Sequence, residues 1–352
     1  MSASLLSSPI IREVYRPAKS HPRSNMATCV DNLRPKSAMN HLSMNSTRSK
    51  IEDSIYRYVG LSRPELQELV FSPPAPPAGD TDEDVDDTWA KIREEASEDA
   101  EMEPVLRKFY EDAILSHGSL EAALAGHLAK KLGSESGGVG SVVLVEVFME
   151  VFETAPEVGR AVRADLKAAR DRDPACSSMA RCLLYYKGFQ ACQAHRIAHR
   201  LWAKGRAALA LFIQSRVAEV FAVDIHPAAR IGAGVLLDHA TGLVIGETAV
   251  VGNNVSILHN VTLGGTGKVC GDRHPKIGDG VLVGAGTQIL GNVRIGEGAK
   301  IGAGSVVLKA VPARATAVGN PARLIGGPEK PVNKDQMPGL TMDHTSWSDY
   351  VI

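Results

Sequence analysis

The chain has 352 residues, with 39 Lys and Arg against 40 Asp and Glu, a net charge of −1 and only 5% aromatic residues. No basic stripe marks a nucleic-acid surface. The most apolar windows, 142–152 and 207–223, carry Glu146, Glu150, Arg216 and Glu219, which excludes a membrane-spanning helix. Five cysteines (Cys29, Cys176, Cys182, Cys192 and Cys270) show no paired spacing and an odd count, the pattern of reduced thiols in an intracellular protein.

Residues 1–87 read as an extension outside the folded part. Residues 1–50 hold eight Lys and Arg, two acids and ten serines, a composition shared by organellar transit peptides and ordinary disordered tails. Met26 is an alternative start. The expected location is therefore cytoplasmic, or plastid or mitochondrion where the extension acts as a transit peptide. A Pro-rich and then acidic stretch, residues 72–87, reads as a solvated linker.

From residue 88 to 223 the pattern is helical. Thr88 is placed to cap a first helix, with Trp89, Ile92 and Ala96 on one face. Pro104 suits the first turn of a second helix, and Ser119 opens a third that closes near Gly133. Helices are expected over 142–152 and 157–170. Asp173-Pro174 breaks the pattern, and helices over 180–204 and 206–221 complete the block.

Residues 224–327 repeat with period six. Apolar residues recur at Ile225, Ile231, Leu237, Leu243, Ala249, Val255 and Val261, then at Ile277, Val283, Ile289, Ile295, Ile301 and Val307. Period six is neither helical nor plain strand; it belongs to parallel β-helices, in which three hexapeptides make one triangular coil. The expected fold is α+β: an all-helical domain that covers the open end of a β-helix. From Val261 to Ile277 the spacing is sixteen, which implies a ten-residue insertion in the stretch from Leu263 to Pro275. Residues 328–352 form a polar tail that nevertheless ends in Trp347-Ser348-Asp349-Tyr350-Val351-Ile352. An apolar terminal side chain with a free carboxylate suits capture by a partner pocket.

Three polar groups interrupt the repeat: Asp224-Ile225-His226-Pro227, Asp238-His239-Ala240-Thr241-Gly242 and Asp272-Arg273-His274-Pro275. Asp224 precedes His239 by a little less than one coil, so its carboxylate can approach the imidazole. Such a pair is what a general base for a hydroxyl needs. A metal is the competing reading, since His226, His239, His259 and His274 are several, but no close pair or supporting Cys pair gives ligand spacing. Gly264-Gly265-Thr266-Gly267-Lys268 lacks the spacing of a phosphate-binding P-loop, though exposed N–H groups there can hold a phosphate or a pantetheine arm.

At these residues the sequence resembles serine acetyltransferase of the plant type. The likeness rests on 223–229, 237–242, 255–259, 262–268 and 271–277, on Arg172-Asp173-Pro174-Ala175 and Gln193-Ala194-His195-Arg196-Ile197, and on the Trp-Ser-Asp-Tyr-Val-Ile ending. It covers roughly 88–352. The resemblance implies a left-handed parallel β-helix, trimeric through its solenoids and hexameric through its helical domains. It implies acetyl transfer from acetyl-CoA, a co-substrate with no tightly bound cofactor, to the hydroxyl of L-serine. It makes His239 the base and Asp224 its partner, Asp173 and Asp238 the holders of the serine ammonium, and Arg273 and His274 the holders of its carboxylate. It assigns Gly265, Thr266, Ala285, Lys300 and Ala303 to the CoA groove, the two alanines as inward-facing positions that leave room for the arm. It gives Ile352 to the docking of O-acetylserine sulfhydrylase. Sites in this family lie between neighbouring β-helices, so one chain need not supply every group.

Overall fold

The computed structural model describes residues 82–134, 138–267, 270–325 and 336–343. The transit-peptide reading and Ile352 fall outside these residues.

The first helix, α1, runs from Asp82 to Met102. Thr88 therefore lies inside it rather than at its N-cap. The acidic stretch read as a linker supplies the first turn. A 3₁₀ turn at Pro104–Leu106, α2 at Arg107–Tyr110 and a π turn at Glu111–Leu115 follow. Helix α3 (Leu120–Leu132) is capped as expected, Ser119 Oγ accepting from the Ala122 N–H at 3.2 Å. Then come α4 (Ser141–Thr154) and α5 (Pro156–Arg172), with Pro156 in the first turn of α5. The single helix expected over 180–204 is two, α6 (Met179–Tyr185) and α7 (Lys187–Ala203), broken at Tyr186. The break brings Gly188 against the solenoid: a Cβ there would lie 2.0 Å from the Leu237 carbonyl oxygen. Helix α8 (Ala207–Phe221) leads into the first strand. The helices share a core of Ile92, Ile114, Leu124, Leu128, Phe148, Leu166, Leu183 and Ile197, all fully buried.

The solenoid has three faces. Strands β1 (Val223–Ile225), β4 (Leu243–Ile245), β7 (Thr262–Gly264), β10 (Gln288–Leu290) and β13 (Val306–Val307) make the first. Strands β2 (Arg230–Ile231), β5 (Val250–Val251), β8 (Lys276–Ile277) and β11 (Arg294–Ile295) make the second. Strands β3 (Leu236–Leu237), β6 (Ser256–Ile257), β9 (Leu282–Val283), β12 (Lys300–Ile301) and β14 (Thr316–Val318) make the third, closed by antiparallel β15 (Arg323–Ile325).

The pairing corrects the repeat frame. Ile225 lies over Ile245, Ile231 over Val251 and Leu237 over Ile257, so the first coil has twenty residues. The inward positions are thus Ile245, Val251 and Ile257 in the second coil and Leu263 at the start of the third, two residues beyond the frame read from the sequence. Leu243, Ala249, Val255 and Val261 are buried as well, filling the coil two residues earlier, and this hid the shift. The supposed ten-residue insertion is two insertions. Two extra residues sit between Leu237 and Leu243, and eight sit between Leu263 and Ile277, since Leu263 pairs with Ile289 twenty-six residues on.

The helices are fastened to the open coil by buried charges. Asp165 Oδ2 accepts from Arg196 Nη2 at 2.7 Å and Nε at 3.0 Å, and its Oδ1 accepts from the Val235 N–H at 2.8 Å. Arg196 also donates to the carbonyls of Ile231 and Gly232. The stretch 336–343, with the short helix α9 (Pro338–Thr341), closes the far side of this seam. Gly339 O accepts from Ser256 Oγ at 2.6 Å, and Ser256 Oγ accepts from Arg172 at 3.2 Å.

Candidate active site

The two interruptions of the repeat produce two polar edges. The edge between the third and first faces carries the His239 turn. His239 and Ala240 both take left-handed backbone conformations, with φ of 54° and 55°. Such geometry costs a non-glycine residue about 1–3 kcal/mol and marks sites where position matters more than strain. The two extra residues create this turn and push the His239 side chain out, 74% exposed. Its Nε2 lies 3.8 Å from Asp238 Oδ1. Below it the His259 ring sits 5.9 Å away, with its own Nδ1 buried and unpartnered.

The pairing of β3, β6, β9 and β12 places His239, His259, Ala285 and Ala303 in one column, each two residues beyond a paired inward position. Ala303 is exposed and Ala285 half-buried, so both line the outside of this edge and do not face the interior as the sequence reading had it. Lys300, buried, lies on the neighbouring face in β12.

Asp224 projects from β1 of the same coil as His239. Within the chain its Oδ1 accepts from Gln214 Nε2 at 2.6 Å, with no hydrogen bond or ion pair to His239. Helix α8 feeds straight into β1, which sets Gln214 over the carboxylate. The expected Asp224–His239 contact is thus open in this arrangement. Asp173 ends α5, and its Oδ1 accepts from the Ala175 N–H at 2.8 Å. Burial first, then the nearby Cys176 and Asp173, push the Tyr186 phenol well above its ordinary value. The next residue along, Lys187, reaches Thr241 in the His239 turn.

The edge between the first and second faces carries the eight inserted residues. Arg273 donates to Glu247 Oε2 at 2.7 Å, a bond that holds the Glu247 carboxyl below its usual range. His274 is buried, and Thr248 orients it. The Thr248 N–H donates to His274 Nδ1 at 3.1 Å, while Thr248 Oγ1 lies 2.9 Å from the same nitrogen and accepts from the N–H groups of Arg273 and His274. A ring nitrogen that accepts from a backbone amide carries no proton, so the neutral imidazole bears its N–H at Nε2. Burial, then the Arg273 charge, lowers the His274 pKa and keeps that neutral form. Gly246 makes room for the ring: a Cβ there would lie 2.0 Å from Cδ2 and Nε2. Gly265 borders the same ring, and Thr266 lies over Gly291 one coil on. Lys268 is outside the described residues. Among the described residues no group of three or more His, Cys, Asp or Glu is placed to hold a metal ion.

One chain therefore gathers Asp238, His239, Ala285 and Ala303 on one edge. It gathers Arg273, His274, Gly265 and Thr266 on another. The five-stranded face lies between them. Sequence reasoning missed Gln214, Gly246, Glu247 and Thr248. Gly246 follows the inward Ile245, a position that the frame read from the sequence did not mark as inward.

Residues 88–194 match the family profile "Serine acetyltransferase, N-terminal", and residues 274–309 match "Bacterial transferase hexapeptide (six repeats)". Serine acetyltransferase 3, mitochondrial, of Arabidopsis thaliana is 60% identical over 295 residues, 83% of this chain and 72% of that protein. Serine acetyltransferase 1, chloroplastic, of the same plant is 63% identical over 274 residues, 77% of this chain and 87% of that protein. Among solved structures, soybean serine acetyltransferase complexed with serine aligns at 64% identity and a TM-score of 0.66, covering 68% of this chain and 97% of that one. The Brucella abortus enzyme in complex with coenzyme A aligns at 52% identity and a TM-score of 0.68, covering 69% and 97%. Helices before a left-handed parallel β-helix, two polar edges on the solenoid and identity of this depth agree: the chain belongs to the serine acetyltransferase family.

Proposed function

We propose that the chain transfers acetyl from acetyl-CoA to the hydroxyl of L-serine, at a site that joins the His239 edge of one copy to the Arg273–His274 edge of the next. The observation that carries the reading is the separation of these two edges by a full face of the solenoid in one chain. Both sets become useful together when a neighbouring solenoid is set edge to edge. The complexes with serine and with coenzyme A among the relatives support the two substrates.

In this site His239 Nε2 takes the proton of the serine hydroxyl as its oxygen attacks the thioester carbonyl. The C–S bond then breaks, and the departing thiolate takes the proton. Asp224 steadies the imidazolium once it turns from Gln214, as the carboxylate of a triad does. Asp173 and Asp238 hold the ammonium. Arg273 offers a forked donor to the carboxylate, and His274 adds its Nε2–H. Gly265, Thr266, Ala285, Ala303 and Lys300 border the course of the CoA arm. A mixture of His239→Ala and His274→Ala chains, unfolded and refolded together, is expected to regain activity that neither variant has alone. Mixed oligomers that stay inactive would show that each chain builds its site alone.

The same reading includes a dimer of trimers and a docking tail. Exposed apolar side chains on the helices, Met102 and Val105 among them, support assembly through that block. The terminal Tyr350-Val351-Ile352 supports capture by O-acetylserine sulfhydrylase. Removing Ile352 is expected to abolish the complex in a pull-down and to leave acetylation intact; a truncated chain that still captures the sulfhydrylase refutes the docking. The basic, serine-rich first 50 residues and the organelle names of two relatives support import into plastid or mitochondrion. A fluorescent fusion begun at Met1 is expected in an organelle and one begun at Met26 in the cytosol. Identical distributions count against a transit peptide.

A further inference from the structure

The proposed base is held in place by its backbone. The His239 side chain is 74% exposed and forms no hydrogen bond among the described residues. Where its Nε2 sits is therefore decided by the turn 238–242, in which His239 and Ala240 take φ of 54° and 55°. Two backbone bonds tie that turn to the solenoid and to the end of α8. The Asn260 N–H donates to the Thr241 carbonyl at 2.8 Å, and the Gly242 N–H donates to the Ala222 carbonyl at 2.8 Å. The first two residues of α7 add a further hold. Lys187 Nζ donates to Thr241 Oγ1, and among the described residues this hydroxyl is its one hydrogen-bond partner. Gly188 packs so closely on the same turn that a Cβ would lie 3.1 Å from Ala240 Cβ as well as 2.0 Å from the Leu237 carbonyl oxygen. The break at Tyr186 starts α7 at this point, so the helix end meets the turn.

We infer that Lys187 is a positioning residue for acetyl transfer: it clasps Thr241 and so fixes the turn that presents His239 to the serine hydroxyl. Left-handed non-glycine residues persist only where their surroundings over-determine them. Here the surroundings are the two backbone bonds and the start of α7. A bond from an ammonium is charge-assisted and stronger than one between neutral groups, so Lys187 is a large part of that hold. Its four-carbon stem spans from the helix to the hydroxyl, and the donor sits at the tip. Without the donor, Thr241 is released and the two residues before it relax. An exposed imidazole has no packing of its own to correct the shift. A displacement of about 1 Å at a reacting group can cost 10²-fold in rate. Lys187 acts through the turn and touches neither substrate. The consequence for turnover rests on the reading of His239 as the base.

The test compares four variants of the full chain. Lys187→Met keeps the stem and loses the donor, Lys187→Arg keeps a donor, Thr241→Val loses the acceptor, and the fourth combines Lys187→Met with Thr241→Val. Hydrogen–deuterium exchange is read by mass spectrometry on peptic peptides that span the turn 238–242. Exchange is expected to quicken about tenfold in Lys187→Met and in Thr241→Val, the scale of one charge-assisted hydrogen bond, and to hold in Lys187→Arg. With it kcat falls about tenfold, while the KM values for serine and acetyl-CoA stay within about twofold. Lys187→Arg keeps most of the turnover. The double variant falls no further than the lower single one, because both remove the same bond. Unchanged exchange overturns the clasp, and so does a double variant whose losses multiply. A raised KM with kcat unchanged makes Lys187 a substrate contact and overturns the positioning role. Faster exchange with both kcat and KM unchanged overturns the coupling to turnover, provided His239→Ala lowers kcat. If His239→Ala does not lower it, the base assignment is what fails, and exchange alone decides the clasp.

Discussion

His239→Ala is expected to lower kcat by about 10²–10⁴-fold, the range over which a positioned general base acts. The serine KM should change far less, because ammonium and carboxylate are assigned to Asp173, Asp238, Arg273 and His274. The substitution is a clean probe of chemistry for a structural reason. Ala240, the next residue, already holds a left-handed backbone at φ 55°, so alanine is tolerated in this turn. The side chain is also 74% exposed, so its loss leaves no cavity. Steady-state kinetics with both substrates varied will separate the terms. A kcat close to that of the parent enzyme removes His239 from the role of base.

The second large effect is on stability. Asp165→Ala is expected to cost about 3–5 kcal/mol, the penalty for leaving one member of a buried ion pair alone. Asp165 is 1% exposed and Arg196 8%, so neither charge is covered by water. Asp165 also takes hydrogen bonds from Gln193 at 2.9 Å and from the Val235 N–H at 2.8 Å. Truncation strands a guanidinium, an amide and a backbone donor in the same seam. Urea unfolding followed by circular dichroism will measure the loss. A change under about 1 kcal/mol, the scale of an exposed pair, would mean that water reaches this joint.

The solenoid was legible because its period is unlike that of helix or plain strand. The chemistry-bearing interruptions stood out for the same reason. The frame was not legible across Leu237–Leu243, because hydrophobic residues at two offsets within each hexapeptide satisfy either reading; only strand pairing separates Leu243 from Ile245. That ambiguity joined two insertions into one. It also hid that the His239 turn holds two of the extra residues. The orientation of His274 was illegible for another reason: Thr248 and Gly246 are one coil away from it and twenty-six or more residues earlier in the sequence. The contact of Asp224 with Gln214 depends on how α8 enters β1, an angle that no spacing rule encodes. Helix limits went wrong where composition misled: Asp82–Asp87 read as a charged linker but begins α1, and Tyr186 breaks a helix for the sake of Gly188.

The column of His239, His259, Ala285 and Ala303 makes the solenoid a ruler with graduations of about 4.8 Å, the spacing of stacked strands. Along such a ruler, distance is counted in whole turns of chain. A lineage can lengthen or shorten the track beside His239 only by gaining or losing a whole coil at a time. A single deletion within a face would turn every later side chain inside out, whereas extra residues at a corner leave the scale intact.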